Sequence, residues 1–154
     1  MPTQSALDTL EEGHAPTQQF LSFRLAEETY AIEIAAVTEI IGLQSFTAVP
    51  DVPPFIRGVI NLRGRVIPIM DVRARFQLEP HDYDKRACII VIHHRGEQVG
   101  LVVDRVKDVV DIPTEQLDAH RSIGDAAGDY VQAMAKVDDV VLIVLEFEKL
   151  LSYS

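Results

Sequence analysis

From about Phe20 to Leu151 the chain alternates short apolar runs with short polar breaks. The runs are strand-length, not helix-length, and most breaks hold residues that turn a chain. Residues 18–25 predict a first strand on Phe20, Leu21, Phe23 and Leu25. Ala26-Glu27-Glu28 predicts a turn, and residues 29–34 the return strand of an antiparallel hairpin. Residues 35–41 fit a short helix or a strand, and Gly42 ends them. On a strand, Val37 and Glu39 are two apart and face the same way. The proline-rich stretch 47–54 predicts a loop.

The stretch from Phe55 to Asp71 organises the rest. It predicts two extended segments joined by a tight turn, in which Gly64 supplies the positive φ of a two-residue hairpin and Arg63 stands at the tip. On the outgoing segment Val66, Pro68 and Met70 share one face and Ile67 and Ile69 the other. Both faces are apolar, which predicts a strand covered on both sides. Pro68 cannot donate to a ladder, which predicts an edge or a bulge there.

Residues 72–76 predict one helical turn and residues 79–85 an exposed connection. Residues 87–92 predict a strand, His93-His94-Arg95-Gly96-Glu97 a hairpin loop, and residues 98–103 its return. Residues 105–112 predict a further strand stopped by Pro113, then a short helix start over 114–117 capped by Thr114. Residues 120–128 predict a loop. Asp138-Asp139 predicts a hairpin turn between residues 130–137 and 140–145. Residues 147–151 predict a closing helical turn that packs Phe147, Leu150 and Leu151. Many short strands at close spacing, with no long amphipathic helix to cross a parallel sheet, predict small all-β barrels.

Composition narrows the function classes. The chain has 154 residues, 47% of them hydrophobic, and a formal net charge of -10. That charge argues against nucleic acid or an anionic membrane as the main partner. A single cysteine, Cys88, allows no internal disulfide and fits a reducing compartment. No basic-then-apolar leader is read at the N-terminus, and no apolar run approaches the ~18 residues of a membrane helix. The expectation is a cytoplasmic protein without direct membrane insertion, with residues 1–16 as a mobile tail and residues 17–152 as the folded part.

No catalytic spacing emerges. His14, His81, His93, His94 and His120 are scattered, so no zinc set forms. No nucleophile elbow, phosphate loop or dinucleotide fingerprint is present. Cys88 lies inside an apolar run and reads as a buried, inert thiol. Asp82/Asp84, Asp125/Asp129 and Asp138/Asp139 read as solvated turn carboxylates. No cofactor or metal is expected. One feature remains: Arg57, Arg63, Arg65, Arg73 and Arg75 fall within one short span. They either form a local basic patch or pair with the chain's own carboxylates. Arg63 at a turn tip can make a bidentate pair, with Glu39 as a candidate partner.

Several motifs together resemble the CheW-like coupling proteins of bacterial chemotaxis. They are Val37-Thr38-Glu39-Ile40, the run Phe55 to Gly64, Val66-Ile67-Pro68-Ile69-Met70-Asp71, Gly100-Leu101-Val102-Val103-Asp104, and the closing segment 142–151. The resemblance implies two small SH3-like five-stranded barrels sharing an apolar core, with short helical turns. It implies a non-catalytic adaptor joining the regulatory domain of the histidine kinase CheA to the cytoplasmic tip of chemoreceptors, and recruitment to receptor arrays through those partners. Carried over by motif, the protein-binding residues are Val37, Glu39, Gly58, Asn61, Arg63, Val66 and Gly100. Arg63 and Glu39 would be polar determinants, and Val37 and Val66 apolar contacts. Arg65 and the segment 121–130 depart from the pattern. The alternatives are the same scaffold in another receptor–kinase pathway, such as surface motility, and more remotely a small barrel enzyme or ligand-binding domain.

Overall fold

The computed structural model describes residues 16–79, 82–119 and 130–152. The chain opens with a hairpin, β1 (Thr17–Leu25) and β2 (Glu28–Glu33), and a 3-10 turn at Ile34–Ala36. Then come β3 (Val37–Gly42), β4 (Ile56–Leu62), β5 (Arg65–Asp71), the one-turn helix α1 (Val72–Arg75), β6 (Cys88–His94) and β7 (Glu97–Val103). The last part holds β8 (Arg105–Pro113), a 3-10 turn at Thr114–Gln116, β9 (Asp118–Ala119), β10 (Val131–Val137), β11 (Val140–Leu145) and α2 (Phe147–Leu150).

These strands form two sheets, in the order β8-β1-β2-β11-β10-β9 and β3-β6-β7-β5-β4. The first is five strands plus the two-residue β9. Both sheets are rolled. In a flat first sheet, the five strand spacings between its edges would put β8 and β9 roughly 24 Å apart. The chain passes from Pro113 to Asp118 in five steps, a reach of at most about 18 Å. In the second sheet the loop after β3 returns to the far edge, where Thr47 and Val59 exchange two backbone hydrogen bonds of 2.9 Å. The second sheet is a continuous insertion between β2 and β8, and two parallel pairs, β2–β11 and β5–β7, complete the wiring.

Alternation along the strands sorts the apolar residues into three cores. Phe20, Ala31, Ile112, Leu142 and Val144 fill the first rolled sheet. Ile60, Ile67, Ile69, Ile89, Val91 and Val102 fill the second. Between the sheets lies a larger shared core that includes Phe23, Tyr30, Met70, Phe76, Ile90, Ile92 and Leu101. It is here that burial of apolar area binds the two halves together. Strand β6 is covered on both faces, with Ile89 and Val91 inside its barrel and Ile90 and Ile92 in the shared core.

Several expectations are refined. Strand β5 is covered on both faces only at its base: Met70 reaches the shared core, while Val66, on the same face near the tip, is 67% exposed. Pro68 lies in no bulge of β5; it stands opposite Val59 of β4, and because the ladder to β7 begins one residue later, at Ile69, its other side is locally an edge, as expected. The missing N–H is tolerated because no partner strand has yet arrived on that side. The ambiguous segment before Gly42 is both things in turn, a 3-10 turn and then β3. His93 and His94 are strand residues, and the hairpin loop is only Arg95-Gly96. Thr114 opens its 3-10 turn and does not cap it. The predicted tail lies outside the described residues except for Pro16, whose carbonyl accepts from the Thr114 N–H at 2.9 Å. The predicted loop 120–128 also lies outside them.

Candidate functional site

The β4–β5 hairpin carries Arg63 out of the second barrel. Arg63 and Gly64 both have positive φ, +54° and +82°, so the turn is of the primed kind that matches strand twist. A left-handed arginine costs conformational energy, and the neighbours secure it. Asn61 Oδ1 accepts from the Gly64 N–H at 2.9 Å, locking the turn from within. The Arg63 guanidinium donates to the Glu39 carboxylate on β3. Because β3 and β4 are opposite edges of their sheet, this ion pair and the Thr47–Val59 bridge cross the same seam. The Arg63 side chain remains 71% exposed, against 20% for Glu39. Glu39 therefore aims the guanidinium while leaving much of it open.

The hydrogen bond from Arg63, with its charge, holds the Glu39 carboxyl below its ordinary value of 4.5; the bond to Glu39 in turn raises Arg63. The pair's favourable contribution is therefore complete above the ordinary carboxylate value and disappears as pH falls through the lowered one. An NMR titration of the Glu39 carboxyl should give a midpoint below 4.5, returning toward it in Arg63→Gln. A wild-type midpoint at or above 4.5 would remove the pair from solution.

The other residues singled out by motif divide into surface and support. Val66 stands opposite Asn61 across the hairpin, and both are exposed. Val37 is half-buried against the shared core. Gly58 and Gly100 are buried. A Cβ on Gly58 would lie 2.3 Å from the Thr47 carbonyl oxygen, and one on Gly100 within 2.8 Å of the Ile89 and Ile69 side chains. Both glycines admit close packing beneath the corner and present no side chain to a partner.

The arginine cluster does not form one basic patch. Arg57 lies 3.7 Å from Asp71 and Arg63 pairs with Glu39. Arg75 donates to the carbonyls of Leu150 and Lys149, each at 3.0 Å, and stacks over Phe55 and Tyr130. Arg73 makes a two-point pair with Asp104, at 3.0 and 2.7 Å. Asp104 also accepts from the Ala26 N–H at 2.8 Å, so it ties the helix after β5 to the β1–β2 turn of the other barrel. Only Arg65 is simply exposed. The sequence placed Arg95-Gly96 in a hairpin loop without singling it out as a second arginine–glycine tip, which it is, with φ of +54° and +83°. A shallow cleft lined by Val66, Pro68, Gly96 and Gln98 separates the two tips. The repeated Arg-Gly dipeptide was the available signal.

The corner thus presents a guanidinium oriented by Glu39 beside the exposed Val66 and Asn61, on a body of two rolled sheets around a shared core. The chain belongs to the CheW-like family, whose domain matches residues 19–154. It is 38% identical to the chemotaxis protein CheW of Klebsiella aerogenes over 91% of this chain and 85% of that one. It is 33% identical to the chemotaxis protein CheW of Thermotoga maritima, over 86% and 87%. The crystal structure of the scaffolding protein TtCheW from Thermoanaerobacter tengcongensis superposes with a TM-score of 0.81 at 32% identity, covering 90% of this chain and 95% of that one. The protein is thus a chemotaxis coupling adaptor, and the surface-motility alternative is not favoured.

Proposed function

We propose that this protein joins the regulatory domain of the kinase CheA to the cytoplasmic tips of chemoreceptors, without catalysis, from the cytoplasmic side of the membrane. The observation that carries the reading is the Arg63 corner, an exposed guanidinium oriented by Glu39 and seated beside Val66. Such a corner offers a directional charge-assisted bond with apolar contact around it, the composition of a small binding centre. Asn61 shapes the turn, Gly58 and Gly100 set the packing beneath it, and Val37 anchors β3, which carries Glu39. Among the described residues no helix is long and apolar enough to cross a membrane, so in this reading its partners hold the protein at the membrane.

The test is co-sedimentation with a receptor fragment and a CheA regulatory-domain fragment. Arg63→Glu should weaken capture of at least one partner by about tenfold or more while the melting temperature stays close to wild type. Glu39→Gln, which leaves Arg63 in place but frees it, should produce a smaller loss. Unchanged capture of both partners by the Arg63→Glu variant would exclude the corner as a binding centre.

A further inference from the structure

A cavity of about 480 Å³ opens at the junction of the two barrels, away from the Arg63 corner. Its lining includes Arg24, Arg73, Arg86 and Arg105 against the carboxylates of Glu27, Asp84 and Asp104. Two of these carboxylates are committed. Asp104 holds Arg73 and the Ala26 N–H, and Asp84 holds Arg86 at 3.1 Å. Glu27 is exposed.

Arg24 and Arg105 remain. They are direct partners in the β1–β8 ladder, so their side chains leave the sheet on the same face. Like charges placed opposite one another on neighbouring strands repel, and such pairs are disfavoured. Here neither makes an ion pair among the described residues. Arg24 donates only a long bond of 3.5 Å to the Ala26 carbonyl, and its Nε is buried with no hydrogen-bond partner. Two adjacent forks of donors, in a cleft of small-ligand size with polar walls, match a doubly charged tetrahedral oxyanion.

We propose that this cavity binds a phosphate group, free or carried on a small phosphomonoester, between Arg24 and Arg105. The site shares no residue with the Arg63 corner, so it stands or falls separately from the partner reading.

The test is calorimetric titration and thermal melting of the full chain with sodium phosphate, with glycerol 3-phosphate, and with sodium chloride at matched ionic strength. Phosphate should bind saturably at one site. At ten times its dissociation constant it should raise the melting temperature by about 3–5 °C over chloride. Arg105→Gln, at an exposed position, should melt at or above wild type in chloride, because the repulsion is relieved. It should lose at least tenfold in phosphate affinity, and Arg24→Gln should lose as much. Equal or tighter binding of the ester assigns the site to a phosphomonoester, and binding of inorganic phosphate alone assigns it to the free ion. No saturable binding of either at millimolar concentration overturns the proposal, as does a phosphate response kept by both glutamine variants.

Discussion

Gly58→Ala lowers the melting temperature by about 10 °C or more. The new Cβ would sit 2.3 Å from the Thr47 carbonyl oxygen and 2.8 Å from its carbon. These are backbone atoms, so no rotamer change relieves the overlap. The loop must back away, and the two 2.9 Å hydrogen bonds between Thr47 and Val59 go with it. Forcing extra atoms into a packed site costs about 1–3 kcal/mol. The φ of +154° adds strain of about 1–3 kcal/mol for a residue with a side chain. Together these come to about 2–6 kcal/mol, centred at about 4, which at about 2–4 °C per kcal/mol for a chain of this size centres the loss at about 12 °C. Gly64→Ala separates the two causes. Its φ is +82° but nothing lies within 4 Å of its Cβ, so it should lose only about 1 kcal/mol. Thermal melts of the two variants decide the matter; if Gly58→Ala melts no lower than Gly64→Ala, the close approach of the loop is wrong.

The second large effect is expected at Asp104. Its carboxylate takes two bonds from Arg73 and one from the Ala26 N–H, and the Arg73 and Asp104 side chains are 11% and 19% exposed. Asp104→Ala strands a nearly buried guanidinium, whose remaining bond is to the Glu79 carbonyl at 3.3 Å, and leaves a backbone N–H without its acceptor. Removing one partner of a buried pair costs about 3–5 kcal/mol, and the residual exposure here places the loss near 3 kcal/mol. Asp104→Asn retains an acceptor for Ala26 and should lose less. Urea denaturation of both variants measures the difference. A loss below about 1 kcal/mol in Asp104→Ala would mean that the pair behaves as a surface ion pair.

What the sequence made legible was local. The Arg63-Gly64 and Asp138-Asp139 turns, the strands beside them and the turn at Val72–Arg75 all follow from neighbours along the chain. At Pro68 the sequence predicts an edge or a bulge without deciding between them, because the choice depends on where β7 joins, about thirty residues later in the chain. The exposure of Val66 was hidden for the same reason: the face it shares with Met70 is covered only where the other barrel arrives. Of the corner, the Glu39–Arg63 pair could be anticipated from charge and turn position. The packing roles of Gly58 and Gly100 could not, since the atoms they admit belong to remote segments. For the cluster of five arginines the choice between one basic patch and internal pairing stayed open, because spacing alone cannot show that Arg57, Arg63, Arg73 and Arg75 point to Asp71, Glu39, Asp104 and the end of α2.

The insertion of one barrel inside the other has a consequence for biosynthesis. The inner barrel, Val37 to Val103, is one uninterrupted stretch and can begin to fold as it leaves the ribosome. The initial hairpin cannot finish its sheet then, because β2 awaits β11 and β1 awaits β8. Until those last strands emerge, the greasy sides of β6 and β7 have only the opening hairpin's Phe23, Leu25, Tyr30 and Ile32 to cover them, so the nascent chain's interval of greatest risk of clumping falls late in translation.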